Sequence, residues 1–207
     1  MIGKIIFCLF LGYIFGCFST GRFISKIYKV DITRYGSGNS GTTNTLRTLG
    51  PIAAIGTLFG DMIKTIIPIL IIKYFVFKDV EYIQLLVLYT GLGAVLGHNF
   101  PFWLRFKGGK GIATTAGAMV ALDPWVIPFG LPLFILVVAL TRYVSIGSLV
   151  AAIFFPVWIL IRYPNDLHML IVSLMFTILA FIKHRSNIRK LIDGTEHKIG
   201  QKVKIDK

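Results

Sequence analysis

Acidic residues are scarce in this chain. Nine Asp and Glu stand among 207 positions, against 22 Lys and Arg. None of the nine clusters with histidine at ligand spacing, so no metal is expected, and no cofactor is called for. Cysteine is nearly absent. Cys8 and Cys17 lie nine residues apart in one apolar run, on roughly opposite sides of a helix at about 100° per residue. That excludes a shared disulfide or thiolate site. Polar linkers, low-complexity tracts and internal repeats are missing too, which leaves a single domain over 1–207. The basic residues are scattered over short loops with no basic helix or aromatic platform, so a nucleic-acid partner is excluded.

What remains is oil. The chain is 55% hydrophobic and only 15% charged, with mean hydropathy +0.76. A soluble domain carries about a quarter charged residues. Apolar runs recur along nearly the whole length and predict an all-α, polytopic membrane protein. A spanning helix needs about 20 mainly apolar residues. Seven spans are expected, at 2–22, 52–76, 81–99, 111–122, 124–141, 146–162 and 166–183. The stretch Met1–Gly21 is expected to be an uncleaved first helix, because Lys4 is a thin positive region and Phe15 suits cleavage poorly. Asp123-Pro124 divides the fourth and fifth spans, with Asp123 as cap and Pro124 in the first turn. The fourth span is short and rich in Gly, Ala and Thr, so it should pack against protein.

Charge then orients the bundle. With the segment after the first helix inside, seventeen of the 22 Lys and Arg fall on the inner side. Lys4, Lys73, Lys78 and Arg162 fall outside, and Lys64 lies within a span. The bias predicts an outside N-terminus and a cytoplasmic C-terminus in the cell (inner or plasma) membrane. The basic excess also suits anionic membrane lipids.

The same parity gathers the glycine- and base-rich segments on the inner face. In 36–41, Gly36, Ser37, Gly38 and Asn39 precede a short helical stretch carrying Asn44 and Arg47. Glycines there permit a nest of backbone N–H groups for an anion, Ser37 adds a donor, and Arg47 suits a phosphate. The stretch 97–111 reads GHNFPFWLRFKGGKG. Its Lys107, Gly108, Gly109 and Lys110 form a second anion trap. It is not a Walker A loop, since Leu104 stands at the first Gly position and Gly111 follows Lys110. His184 and Asn187, three apart, share one helix face and can address one ligand. Asp61 and Lys64 are an i, i+3 pair deep in a span, where charges are usually paired. His98, His168 and His197 receive no catalytic role. The basic tail at 188–207, which contains Asp193 to Lys198, is expected to rest on anionic lipid or fold back over the loops.

Four of these segments, in order, resemble the bacterial acyl-phosphate:glycerol-3-phosphate acyltransferase family. They are GSGNSGTTNTLRTLG at 36–50, GHNFPFWLRFKGGKGIAT at 97–114, RYVSIGS at 142–148 and HRSNIRKLIDGTEHKIG at 184–200. The resemblance covers nearly the whole chain, with small variations such as Thr42 where alanine is common. It implies transfer of a fatty acyl group from acyl phosphate to the sn-1 hydroxyl of glycerol 3-phosphate, giving lysophosphatidic acid and phosphate in phospholipid synthesis. It also implies seven transmembrane helices with the N-terminus outside. By motif position Ser37, Arg47, Lys110, His184 and Asn187 would be catalytic, with Gly36, Gly38, Asn39, Asn44, Lys107, Gly108 and Gly109 binding substrate.

The chemistry agrees with that resemblance. Acyl phosphate is a mixed anhydride with a good leaving group, so two phosphates need holding and water excluding. No histidine is followed five positions later by aspartate: the residues there are Trp103, Ser173, Arg189 and Lys202. A His-x4-Asp base dyad is therefore missing, and a substrate phosphate oxygen is the expected proton acceptor. The competing class is a transporter of a small phosphorylated solute, which would need polar groups on both faces and usually a repeated half. The outer loops here are tiny. The pattern is compatible with a monomer.

Overall fold

The computed structural model describes residues 1–201, an all-helical bundle; Lys202, Lys204 and Lys207 of the basic tail lie outside the described residues. The helices are α1 (Ile2–Gly16), α2 (Thr20–Ile27), α3 (Thr42–Leu49), α4 (Pro51–Ile71), α5 (Ile83–Asn99), α6 (Ile112–Leu122), α7 (Ile127–Thr141), α8 (Val144–Arg162) and α9 (Leu167–Ile192). Among the described residues, six stretches are long and apolar enough to cross a membrane: Ile2–Ile27, Pro51–Val76, Ile83–Leu104, Pro124–Thr141, Val144–Arg162 and Leu167–Ile192. The shorter apolar helix α6 has 11 residues, about 16 Å at 1.5 Å per residue. That is half of a hydrocarbon core about 30 Å thick.

α5 is the axis of the bundle. In its most apolar window 78% of residues are buried, against 11% for the window that contains α7. Helix α7 therefore offers its Leu and Phe side chains outward, which is stable only in lipid. The core joins Leu88 and Leu92 of α5 to Phe155 and Ile159 of α8 and Val172 and Phe176 of α9. Phe155 and Phe176 meet edge to face, centroids 5.1 Å apart.

α1 lies backbone to backbone on α5, and glycine makes this possible. A Cβ on Gly12 would strike Thr90 O, on Gly16 Ala94 O, on Gly93 Leu9 O and on Gly97 Tyr13 O. Each helix presents two glycines four residues apart, the small-xxx-small spacing of close membrane helix contacts. α6 is similarly enclosed: a Cβ on its Gly117 would stand 2.6 Å from Met62 O of α4.

Two helix ends differ from the hydropathy reading. The first helix stops at Gly16, and Ser19 turns extended (φ −100°, ψ 93°) to start α2. The last helix runs on past 183 to Ile192. Nothing between Lys183 and Gly194 (φ +69°) breaks it, and Arg189 and Lys190 in its last turn favour the helix dipole. Hydropathy ends where lipid ends; the helix does not.

Candidate phosphate-binding site

Three segments converge at one end of the bundle. The first runs from α2 to α4. Here Gly36 (φ 61°) and Gly38 (φ 69°) take left-handed turns that other residues resist. Asn44, buried on α3, pins the loop: its Nδ2 donates to Ile32 O at 2.9 Å and Tyr35 O at 3.1 Å, and its Oδ1 accepts from Ser37 N at 2.9 Å. Gly38 N donates to Tyr35 O, and Gly41 N to Asn39 Oδ1. The N–H groups of Ser37 and Gly38 are thus turned to protein acceptors. What the loop leaves facing outward is the exposed Ser37 side chain.

The second segment is 107–111. Gly108 N donates to Asn99 O at 3.2 Å and Gly109 N to His98 O at 3.1 Å. A Cβ on Gly109 would collide with the His98 ring, and one on Gly108 with His98 O. These glycines let the loop lie flat on the end of α5, and their own N–H groups are spent there. Gly111 (φ 83°) then starts α6. The result is a rigid mount for Lys110.

The third segment is the end of α9 and the strand of tail after it. Lys110 Nζ donates to Asn187 Oδ1 at 2.6 Å, and Asn187 Nδ2 donates to Glu196 Oε1 at 2.8 Å. Arg47 Nη2 donates to His197 O at 3.2 Å, and Ile199 N to Arg142 O at 2.8 Å. The tail folds back over the loops. His184 Nδ1 meets Ala180 O at 2.7 Å; a carbonyl only accepts, so Nδ1 carries a proton. His184 and Asn187 are both buried on one face of α9.

Between these segments lies a cavity of about 410 Å³. Ser37, Asn39, Lys107, Gly108, Lys110 and Asn187 line it, with Lys183, Arg185 and Lys190. None of its described lining residues is acidic. Gly36, Gly38, Asn44, Arg47, Gly109 and His184, also expected at the site, are not among the residues that line this cavity. Burial holds the Lys110 ammonium down to about 8, with the nearby Glu196 carboxylate opposing the shift and Arg47 adding to it. Burial also lowers the Arg47 guanidinium from its usual range, again opposed by Glu196.

Sequence reasoning gives Glu196 and Lys183 no role. Glu196 is 9% exposed and bonded to Asn187, and Lys183 Nζ donates to Asn99 O at 2.9 Å. No local signal separates Glu196 from Asp193 and Asp206 in the same basic tail. Asp61 and Lys64 pair at 2.8 Å, as their spacing implies, and His98 joins them at 2.8 Å from Lys64 Nζ.

A family model described as glycerol-3-phosphate acyltransferase matches residues 6–194. The chain belongs to that family. It is 44% identical over 194 residues to the glycerol-3-phosphate acyltransferase of Clostridioides difficile, covering 93% of this chain and 94% of that one. The corresponding protein of Desulforamulus reducens is 42% identical over 191 residues, 92% of each chain. Among solved structures, PlsY (YgiH), an integral membrane glycerol 3-phosphate acyltransferase, superposes in its glycerol 3-phosphate form with TM-score 0.82 at 34% identity, over 96% of this chain and 95% of that one. Its lysophosphatidic acid form gives TM-score 0.83 at 33% identity, over 95% and 96%. As a member of this family the chain is a multi-pass membrane acyltransferase.

Proposed function

We propose that the cationic cavity is where this acyltransferase brings acyl phosphate and glycerol 3-phosphate together. The observation that carries the reading is the lining: Lys107, Lys110, Lys183, Arg185 and Lys190 surround one cavity with no acid among its described walls. Two phosphates are the load such a cavity suits. Lys110, held by Asn187, supplies charge. Ser37 and Asn39 supply neutral donors, and Arg47 and His184 act from outside the lining.

The glycerol hydroxyl oxygen attacks the acyl carbonyl carbon. The bond from that carbon to the phosphate oxygen breaks, phosphate departs, and the hydroxyl proton passes to a phosphate oxygen of the substrate. Lysophosphatidic acid and inorganic phosphate result. Acylation falls on the sn-1 hydroxyl because the phosphate anchored at Lys110 leaves the far hydroxyl pointing at the donor. His184 and Asn187 position the reactants. Rescue of a dead His184→Ala by imidazole, with both substrates still bound, would make His184 the base and sink this step.

The membrane topology we propose has seven crossings, α6 being the short one, shielded by α4 and α5. The N-terminus is outside and the cavity cytoplasmic, which the skew of Lys and Arg supports. The acyl chain enters from the bilayer, and a monomer suffices. The assay is purified protein with acyl phosphate and labelled glycerol 3-phosphate. Formation of labelled lysophosphatidic acid with release of phosphate is expected. A folded preparation making none would refute the donor, and undiminished product from Arg47→Ala and Lys110→Ala would refute the site.

A further inference from the structure

A second cavity, of about 580 Å³, opens at the same end of the bundle and shares no lining residue with the first. It sits at the break between α1 and α2. Phe18, Phe23 and Trp103 form its walls, and Arg22, Lys26 and Lys29 stand around it. Asp31 also lines it; its carboxylate acts on Arg22 at longer range, but its close contacts are local. It accepts from Thr33 N at 3.0 Å and Thr33 Oγ1 at 2.6 Å, and Arg34 approaches it at 3.4 Å. Among the described residues none of the three cations makes an ion pair. Arg22 Nε is shielded from solvent and bonds to nothing in the protein.

The surroundings specify what the cations face. The cavity straddles the C-terminal end of the apolar stretch Ile2–Ile27, with Phe18, Arg22, Phe23 and Lys26 inside it and Lys29, Asp31 and Trp103 beyond. Its three aromatic walls are each about half exposed: Phe18 51%, Phe23 53% and Trp103 51%. Rings placed so, with a fixed indole (Trp103 Nε1 donates to Cys17 O at 2.9 Å), suit head-group depth. Below them, Phe10 and Ile14 are one helical turn apart and exposed at 63% and 46%. They mark an apolar track along α1 from the bilayer up to Phe18. A soluble anion would use the cations but not the track.

We propose that this cavity is a binding site for an anionic phospholipid, its phosphate held by Arg22, Lys26 and Lys29 and one acyl chain laid along Phe10, Ile14 and Phe18. The site is separate from the catalytic cleft, so it stands or falls independently of the catalytic reading.

Trp103 reports the test. The full-length chain carrying Trp125→Phe and Trp158→Phe is reconstituted in phosphatidylcholine vesicles. Its emission is titrated with acyl-brominated phosphatidylglycerol or, at matched bromine content, brominated phosphatidylcholine. The expected result is a preference for phosphatidylglycerol of at least about tenfold in apparent affinity, as three cations near a membrane surface supply. Arg22→Gln/Lys26→Gln/Lys29→Gln should reduce it to within about twofold. If that variant fails to fold, Lys26→Gln/Lys29→Gln, both exposed, should remove most of it. Arg34→Gln/Arg105→Gln, which removes charge nearby but outside the cavity, should keep it. Equal quenching by the two lipids, survival of the preference in the cavity variants, its loss in the Arg34/Arg105 control, or its abolition by excess inorganic phosphate would each overturn the proposal. Acyl transfer in pure phosphatidylcholine should be unchanged in the cavity variants; its loss there would overturn the separateness of the two sites.

Discussion

A buried lysine and a half-buried one stand at the same end of this molecule and are treated in opposite ways. Lys64 is 5% exposed and fully answered: Asp61 Oδ1 at 2.8 Å, Phe18 O at 2.6 Å and His98 Nδ1 at 2.8 Å surround its ammonium. Lys110 has one close partner, the neutral Asn187 Oδ1 at 2.6 Å, and otherwise faces a cavity walled by cations. Burying a charge without an opposite charge in contact is costly. The first lysine is therefore part of the scaffold, closing the gap that the α1–α2 break opens and backing His98, against which Gly109 lies. The second is unfinished without a ligand anion. A structural charge is told from a functional one inside a bundle by what answers it.

Removing each cation in turn should separate the two lysines most widely. Lys64→Met leaves Asp61, 2% exposed, as a buried carboxylate facing only His98. Losing one partner of such a pair costs about 3–5 kcal/mol, so the melting temperature in detergent should fall steeply. Adding Asp61→Asn should recover part of it. A Lys64→Met protein melting like the parent would show that the cluster is not holding the bundle. Lys110→Ala should do the reverse. Loss of a charge-assisted contact to phosphate predicts a fall in kcat/KM for glycerol 3-phosphate of about 100-fold, with melting little changed. Unchanged turnover with a lowered melting temperature would place Lys110 with the scaffold.

How much of this contrast was legible in the residues differs between the two lysines. The Asp61–Lys64 pair follows from helix spacing, because i and i+3 meet whatever the rest of the chain does. Lys110 was legible as a base between glycines, and the six long spans as apolar runs. The glycines themselves misled. Small residues beside bases suggest N–H groups aimed at an anion, yet Gly38, Gly108 and Gly109 donate to Tyr35, Asn99 and His98 carbonyls. Their use is to let backbone approach backbone, a long-range fact that local pattern does not contain. Glu196 was hidden for a related reason: a tail folding back over the loops was one of two expectations, but no local pattern tells which of its residues meets Asn187 of α9. The break at Gly16 was missed, while the continuation of the last helix through His184 and Asn187 was read correctly and runs on to Ile192; an apolar run reports lipid contact, and neither end is set by lipid.

A gentler probe is pH. With the Lys110 ammonium held down to about 8, its cationic form dominates below that value and vanishes above it. The contribution of this cation to kcat/KM should thus be complete at neutral pH and decline as pH rises through about 8, by about tenfold per unit on the steep part of the limb. Lys110→Arg, whose guanidinium stays charged, should lack this limb even if its absolute rate is lower. A limb of the same midpoint in Lys110→Arg would assign it to another group.

The smallest expected effect tests what tunes that lysine. Glu196 is the carboxylate that works against the burial shift at Lys110 and anchors Asn187 Nδ2 at 2.8 Å. Glu196→Gln keeps an oxygen acceptor for Asn187 and deletes only the charge. Without the carboxylate the lysine gives up its proton more readily, so the alkaline limb of kcat/KM should move to lower pH while melting changes little. Glu196→Ala also removes the acceptor and strands Asn187 Nδ2, so it should lower melting as well. A limb that stays in place in Glu196→Gln would mean that the tail acts on the cavity through shape alone, and that Lys110 owes its state to burial and its cationic neighbours. A limb that moves would show that a carboxylate works against burial at Lys110 from one asparagine away, where Asp61 stands in direct contact with Lys64. That intervening asparagine is then what keeps Lys110 available to a phosphate.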